Sequence, residues 1–355
     1  MKKKLRYLLF FLPIITWLVI EASLPVTFFT YRHWEALSYS TFIPHQHHWY
    51  PNIESSKNAV GDLCHHTSHE IIKHEYWKTD QLGFRNDSLI RNADIILIGD
   101  SFVAGSGLSQ EETITYQLNN LLDKNIRTYN LAPCSFSDFI VYHEKGIIST
   151  PHLIIFSIVE RNIPDPIVYY TNTHSTHIKS FIKELFEVLQ LNIYLDKAFK
   201  GYSLKWLNAR IFGQKGKGIP GITKSGMYFL NGKNQLYTNK KLNPTISTLK
   251  SYKSYCEKIG SEFLFLPLPN KETVYYDMVP LQKQPNYLDS LDSLLKLNEI
   301  ASYNTNETMI QYRAMNDSLI YHLDDTHWNA KGVQLVAKNL TKKIKSILTE
   351  KVNDI

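Results

Sequence analysis

Apolar positions along the chain fall into two patterns, short unbroken runs and longer stretches at helical spacing. Ile95–Ile98 form an aliphatic run ahead of Gly99, and similar runs lie at about Ile126 to Leu131, Leu153 to Ile158 and in SEFLFLPLP from residue 261. Runs of this kind predict strands buried on both faces, as in a parallel sheet covered by helices. Between and after them, Ile114, Leu118, Leu121 and Leu122 fit one face of a helix over Gln110 to Leu122, with Glu111 and Glu112 in its first turn. A second helix is predicted over Thr245 to Lys258, stopped by Gly260. A third runs from Ala330 with Val333, Val336, Leu340, Ile344 and Ile347 on one side. A short strand is expected at Leu319 to Leu323. Strands alternating with helices predict an α/β fold.

Three stretches break this rhythm. MKKKLR followed by YLLFFLPIITWLVI has basic residues ahead of an apolar segment. That order reads as an uncleaved signal anchor over residues 1–30, with a cleaved signal as the alternative. Residues 31–93 are rich in aromatics and histidines without periodicity, and read as loops and short strands packed on the core. Residues 163–245 form an α+β insertion in a catalytic segment of 94–350. SFIKELFEVLQL is its amphipathic helix, GQKGKGIPG a solvated loop, and MYFLNGKNQLYT a hairpin turning at Asn231 and Gly232. GQKGKG lacks the GK[ST] ending and the preceding strand of a phosphate loop.

Composition narrows the classes. The chain has 355 residues, is 43% hydrophobic and carries a net charge of +6 spread among interleaved acids, so it is neither disordered nor built as a nucleic-acid binder. Cys64, Cys134 and Cys256 can form at most one disulfide. His45, His47, His48, Cys64, His65, His66 and His69 include zinc-ligand types without a recognised spacing, so no metal and no cofactor is expected. Exposed histidines or carbohydrate contacts are the expectation there. Trp34, Trp49, Tyr50 and Trp77 offer faces for sugar stacking, with core packing as the default for each.

The first strand runs into Gly99, Asp100 and Ser101, and ligands of open parallel sheets bind beyond the carboxyl ends of the strands. A serine hydroxyl becomes a nucleophile only when a base takes its proton, and the base needs an orienting carboxylate. DDTHWNAKG, residues 324–332, supplies both ahead of the last helix.

GDSF near the start of the fold, with D-x-x-H or D-x-H near its end, resembles the SGNH (GDSL-type) hydrolase superfamily. Trp328 after the histidine and FLPLPNKETVY resemble its alginate O-acetyltransferase (AlgX/AlgJ-like) branch. The resemblance implies a flavodoxin-like sheet, Ser101 as nucleophile and His327 as base. Asp324 has the hydrolase spacing to His327 and Asp325 the acetyltransferase-like spacing; Asp325 is preferred, leaving Asp324 to cap a turn or the last helix. The second oxyanion donor falls at Ser135 in YNLAPCSFSD, where the family usually has glycine, and the third at Asn162 in SIVERNIPD, beside Arg161.

The reading is a membrane-anchored, periplasmic enzyme that transfers an acetyl group to an envelope or exported polysaccharide, with the acyl donor supplied by a multi-pass membrane acyltransferase. A carbohydrate esterase is one alternative, and a secreted location another. A non-catalytic glycan-binding protein on the same scaffold is a third.

Overall fold

The computed structural model describes residues 2–24, 29–39, 49–163, 193, 195–197, 200–213, 215–222, 226–230, 242–279 and 284–353. Strands β3 (Ile95–Gly99), β4 (Thr128–Leu131), β5 (Leu153–Val159) and β8 (Glu262–Leu268) form one parallel sheet in the order β4-β3-β5-β8. Beyond β8, Phe265 exchanges backbone hydrogen bonds with Ala301 and Tyr303 in place of a fifth strand. This is the doubly wound α/β order in which the chain steps out from β3 in both directions.

Alternate residues of each strand serve opposite cores. Ile95 and Leu97 of β3 join Leu264 and Leu266 on one face, beneath α3 (Ile114–Leu121) and α10 (Ala330–Asn353). Ile96 and Ile98 join Phe263 and Phe265 on the other, beneath α4 (Phe136–Glu144), α6 (Leu242–Lys258) and α8 (Tyr287–Leu297). Both faces are covered, and for that reason the strands read as continuous apolar runs rather than alternating ones. Each fully buried Leu, Ile or Val contributes about 1.5–3 kcal/mol.

Several boundaries differ from expectation. The Gln110 segment opens as a single 3-10 turn, Gln110–Glu112, closed by a Ser109–Glu112 capping box; α3 starts afresh with Thr113 as its N-cap. No strand forms at Leu319–Leu323. There Tyr321 makes one bridge to Trp328, and the Tyr321 hydroxyl donates to the Pro269 carbonyl at 2.6 Å, so partners outside a ladder satisfy the segment.

Residues 31–93 hold more regular structure than their pattern suggests: a short helix, α2 (His33–Leu37), and an antiparallel pair, β1 (Glu54–Ala59) with β2 (Lys73–Lys78). Trp49, Tyr50 and Trp77 are buried core residues there, which removes them as sugar platforms; Trp34 is half-buried against the same core. The GIP of the expected loop is strand β6 (Gly218–Pro220), paired antiparallel with β7 (Tyr228–Leu230). SFIKELFEVLQL, the Asn231–Gly232 turn and His45, His47 and His48 lie outside the described residues. All three cysteines are free thiols.

The N-terminal helix α1 (Lys2–Ser23) contains Pro13 and exposes large apolar side chains from Tyr7 to Ile20. Among the described residues no helix is long and apolar enough to cross a membrane. At its C-terminal end α1 meets α5 (Tyr202–Phe212). The other short helices, α7 (Lys271–Val274) and α9 (Thr305–Met315), flank the carboxyl end of β8.

Candidate active site

β3 is fully buried and ends at Gly99, where a Cβ would lie 2.8 Å from the Ser157 carbonyl and 2.5 Å from Val103, so only glycine lets the chain turn there. Asp100 closes the turn: one carboxylate oxygen accepts from Phe102 N–H at 3.0 Å and the other from Val159 N–H at 2.9 Å, tying the carboxyl ends of β3 and β5. Ser101 follows. Its Oγ lies 2.7 Å from His327 Nε2, across 226 residues of chain. His327 Nδ1 lies 2.6 Å from Asp325 Oδ1, and His327 N–H donates to the same oxygen at 3.0 Å. Nδ1–H facing the carboxylate leaves Nε2 as the acceptor toward Ser101.

The two neighbouring aspartates have different partners. Asp325 Oδ2 accepts from Arg32 at 3.0 Å and from Asp62 N–H at 3.3 Å. Burial raises the Asp325 pKa, but Arg32 and then His327 outweigh it and hold the carboxyl well below the usual carboxylate range. Asp324 faces away from His327. It accepts from Gly61 N–H at 2.8 Å, Ile71 N–H at 3.1 Å and Lys73 Nζ at 2.9 Å, and so it fastens the 61–73 loop instead of capping a turn or α10.

Two buried cations shape the loops around these groups. Arg85, fully enclosed and stacked 3.9 Å over Trp77, donates to the carbonyls of Gly105 at 2.5 Å, Leu108 at 2.6 Å and Tyr76 at 3.1 Å. Gly105 has φ +78°, and a Cβ there would meet Arg85 at 2.8 Å, so this turn requires glycine. Lys271 donates to the carbonyls of Tyr228 and His322 at 2.6 Å and of Leu323 and Asp325 at 3.0 Å. Burial pulls its pKa down to about 8, still above neutrality, so the four carbonyls face an ammonium at pH 7.

The PNKET stretch also reaches the opposite wall. Asn270 N–H and the Thr273 hydroxyl donate to Glu160, at 3.0 and 2.5 Å, and burial pushes the Glu160 carboxyl up to about 7. Glu160 opens a single 3-10 turn, Glu160–Asn162. From that turn Asn162 Nδ2 approaches the Asp100 carboxylate at 3.5 Å, and Arg161 sits 5.4 Å above the Phe102 ring, which packs 4.6 Å from the His327 ring. Asn162 and Arg161 thus stand beside the two residues that flank Ser101. Ser135 does not offer its N–H to the site: as N-cap of α4 it donates to Asp138 at 3.1 Å within a capping box.

Among the described residues one set of metal-ligand types converges, Asp62, Asp325 and His327. The Arg32 guanidinium already bridges its two carboxylates, at 3.1 and 3.0 Å, where a cation would sit. Cys64, His65, His66 and His69 do not form such a set; His65 stacks on Tyr31 at 4.0 Å.

Residues 229–354 match the family model described as the SGNH hydrolase-like domain of acetyltransferase AlgX. The match spans Asp325 and His327 and stops short of Ser101, so geometry alone ties the serine to them. No curated protein matches the chain. Similar solved structures include a member of the lipolytic protein G-D-S-L family from Veillonella parvula (12% identity, 68% of this chain and 93% of that one, TM-score 0.36). Another is a GDSL-like lipase from Bacteroides thetaiotaomicron (10% identity, 73% and 92%, TM-score 0.35).

Arg32, Asp62, Lys73 and Arg85 escaped the sequence reading. Each lies in aperiodic or short sequence far from its partner, and no local spacing marks it. Lys271 and Glu160 do lie within the quoted stretches FLPLPNKETVY and SIVERNIPD, although those stretches did not mark their roles.

Proposed function

We propose that the chain performs acyl-ester chemistry through an acyl-Ser101 intermediate and transfers an acetyl group to a hydroxyl of an envelope or exported polysaccharide. The observation that carries this reading is the series Ser101 Oγ, His327 Nε2, His327 Nδ1, Asp325 Oδ1, with spacings of 2.7 and 2.6 Å. In a serine triad these are the positions of nucleophile, base and orienting acid.

His327 Nε2 takes the Ser101 proton as Oγ bonds to the ester carbonyl carbon, and the carbonyl oxygen becomes the oxyanion. Asp325 holds Nδ1–H in place and stabilises the imidazolium. The Ser101 backbone N–H and Asn162 Nδ2 serve the oxyanion, and Arg161 borders the entrance for the acceptor. Collapse breaks the bond to the leaving oxygen, which takes the proton from Nε2. A sugar hydroxyl then gives its proton to Nε2 and attacks the acyl carbon; collapse breaks the bond to Oγ, and Nε2 returns the proton to Ser101. Water in place of the sugar would yield an esterase.

We further propose that residues 1–30, which include α1, anchor the chain to a membrane, with MKKKLR on the cytoplasmic side and the site outside it, where a membrane acyltransferase could load the serine. The exposed apolar surface of α1 supports this reading.

Fluorophosphonate labelling that requires Ser101, followed by mass spectrometry of an acetyl-Ser101 peptide after incubation with a chromogenic acetyl ester, tests the chemistry. Oligosaccharide acceptors should gain acetyl groups while free acetate falls. Release of acetate unaffected by any acceptor would replace transfer with hydrolysis. Absence of labelling in folded protein would leave a glycan-binding scaffold.

A further inference from the structure

The helix α5 turns an apolar stripe to solvent at the place where the chain meets the end of α1. Leu204, Leu207 and Ile211, at i, i+3 and i+7, are 52%, 47% and 65% exposed, and Phe212 beside them is 75% exposed. Nothing among the described residues covers this stripe. Lys205 and Arg210 fall on its two edges, and YSLKWLNARIF holds no acid. Lys215 and Lys217 follow.

The helix is fixed to the C-terminal end of α1. Trp17 Nε1–H donates to the Ser203 hydroxyl at 3.0 Å. The Glu21 carboxylate, buried and the only acid of α1, accepts from Ser203 N–H at 3.1 and 3.3 Å in the first turn of α5. Phe29 packs edge-on to Trp206 at 6.4 Å, and Arg210 and Lys205 stand 5.4 Å over the Trp206 and Tyr202 rings. The result is a cluster of aromatic rings and basic groups at one end of an apolar helix. That composition suits the boundary between hydrocarbon and headgroups. An exposed apolar stripe with basic edges suits a helix lying in the plane of that boundary.

We infer that α5 is an in-plane membrane helix: its Leu204, Leu207, Ile211 and Phe212 stripe enters the outer surface of the bilayer, and Lys205 and Arg210 meet anionic headgroups. The inference rests on the reading of α1 as the membrane anchor. Charge complementarity and continuity with the apolar surface of α1 select lipid as the occupant over a second protein. The site-bearing loops are then held at a fixed height above the membrane, because α5 also touches the layer that supplies Arg32: the Tyr202 hydroxyl donates to the Glu35 carbonyl.

The full chain, with Cys134→Ala and bimane at Leu207→Cys or at Phe10→Cys, is reconstituted into phosphatidylcholine vesicles containing phosphatidylglycerol. The Leu207→Cys label should lose about half its fluorescence to lipids bearing a shallow nitroxide and resist aqueous iodide. Leu207→Glu with Ile211→Glu should release α5 from the surface without changing turnover of a soluble ester. Iodide quenching at position 207 with lipid quenching at position 10 overturns the inference and leaves the anchor. Iodide quenching at both overturns the inference together with the anchor, while Ser101 labelling reports on the chemistry separately. Shielding of position 207 from both quenchers means that protein covers the stripe, and this also overturns the lipid reading.

Discussion

The turn that carries Ser101 hangs from Arg85, and the loop that carries His327 hangs from Lys271; both cations are buried and both donate mainly to backbone carbonyls. They differ in origin and in reach. Arg85 comes from the N-terminal layer, with its planar fork directed at carbonyls well past Ser101, those of Gly105 and Leu108. Lys271 opens α7, just after β8, and one of its acceptors is the carbonyl of Asp325, whose carboxylate contacts His327 Nδ1. One half of the site is therefore braced at a distance and the other at Asp325, so under the proposed chemistry equal losses of stability on the two sides should carry unequal losses of rate.

The largest effect falls on Ser101, the proposed nucleophile. Ser101→Ala should lower turnover of an acetyl ester by about a millionfold, as loss of a triad serine does, while circular dichroism and melting stay near wild type. Turnover within tenfold of wild type, on the scale of this ~10⁶ expectation, would move the chemistry to another residue.

Next comes the contrast between the adjacent aspartates. Asp325→Asn should cost about ten-thousandfold in rate, because an amide cannot enforce the Nδ1–H tautomer. Asp324→Asn weakens the bonds to Gly61, Ile71 and Lys73, and should remove on the order of 1–3 kcal/mol of stability with most of the rate kept. Kinetics and urea melts on both variants check this, and a severe rate loss in folded Asp324→Asn would mean that the 61–73 loop itself touches substrate.

The cation comparison is sharpened by Lys271→Met and Arg85→Lys. Each leaves buried carbonyls without donors and should cost about 3 kcal/mol. The methionine variant should also lose about a hundredfold in rate, since Asp325 is released, whereas the lysine variant should stay within about tenfold. Matching rate losses would show that the Ser101 turn is as sensitive to its brace as the His327 loop.

How much of this was legible follows from where each signal lives. The strands of the sheet were legible because burial on both faces writes an unbroken apolar run into the sequence. That Ser101 and His327 lie side by side was legible because short motifs fix them against a strand end and a helix start. Arg32 and Arg85 were not, since a lone arginine in an aperiodic aromatic segment gives no spacing, and its partner, such as Asp325, lies up to 293 residues away. Ser135 was misassigned by motif alignment although SFSD holds the local answer: Ser135 and Asp138 make a capping box that occupies the very N–H assigned to the oxyanion. The strand expected at Leu319–Leu323 failed because Tyr275, Pro269 and Lys271 meet its polar groups from outside any ladder.

The smallest effect concerns the wall opposite the histidine, where Glu160 joins the Arg161–Asn162 turn to the PNKET stretch. Its carboxyl is buried and pushed up to about 7 from an ordinary 4.5, so the folded chain binds a proton there that the unfolded chain releases. Stability from this group is fully present below pH 4.5 and is lost as pH rises through 7, a span on the order of 3 kcal/mol. Glu160→Gln removes the titration while keeping an oxygen that accepts from Asn270 N–H and the Thr273 hydroxyl. The variant should therefore gain on wild type in melting temperature between pH 5 and pH 8. Parallel melting curves across that range would mean that the carboxyl is ionised throughout, with solvent reaching its second oxygen. In that case the wall bearing Asn162 is open to water, and transfer to a sugar would have to compete with hydrolysis from that side.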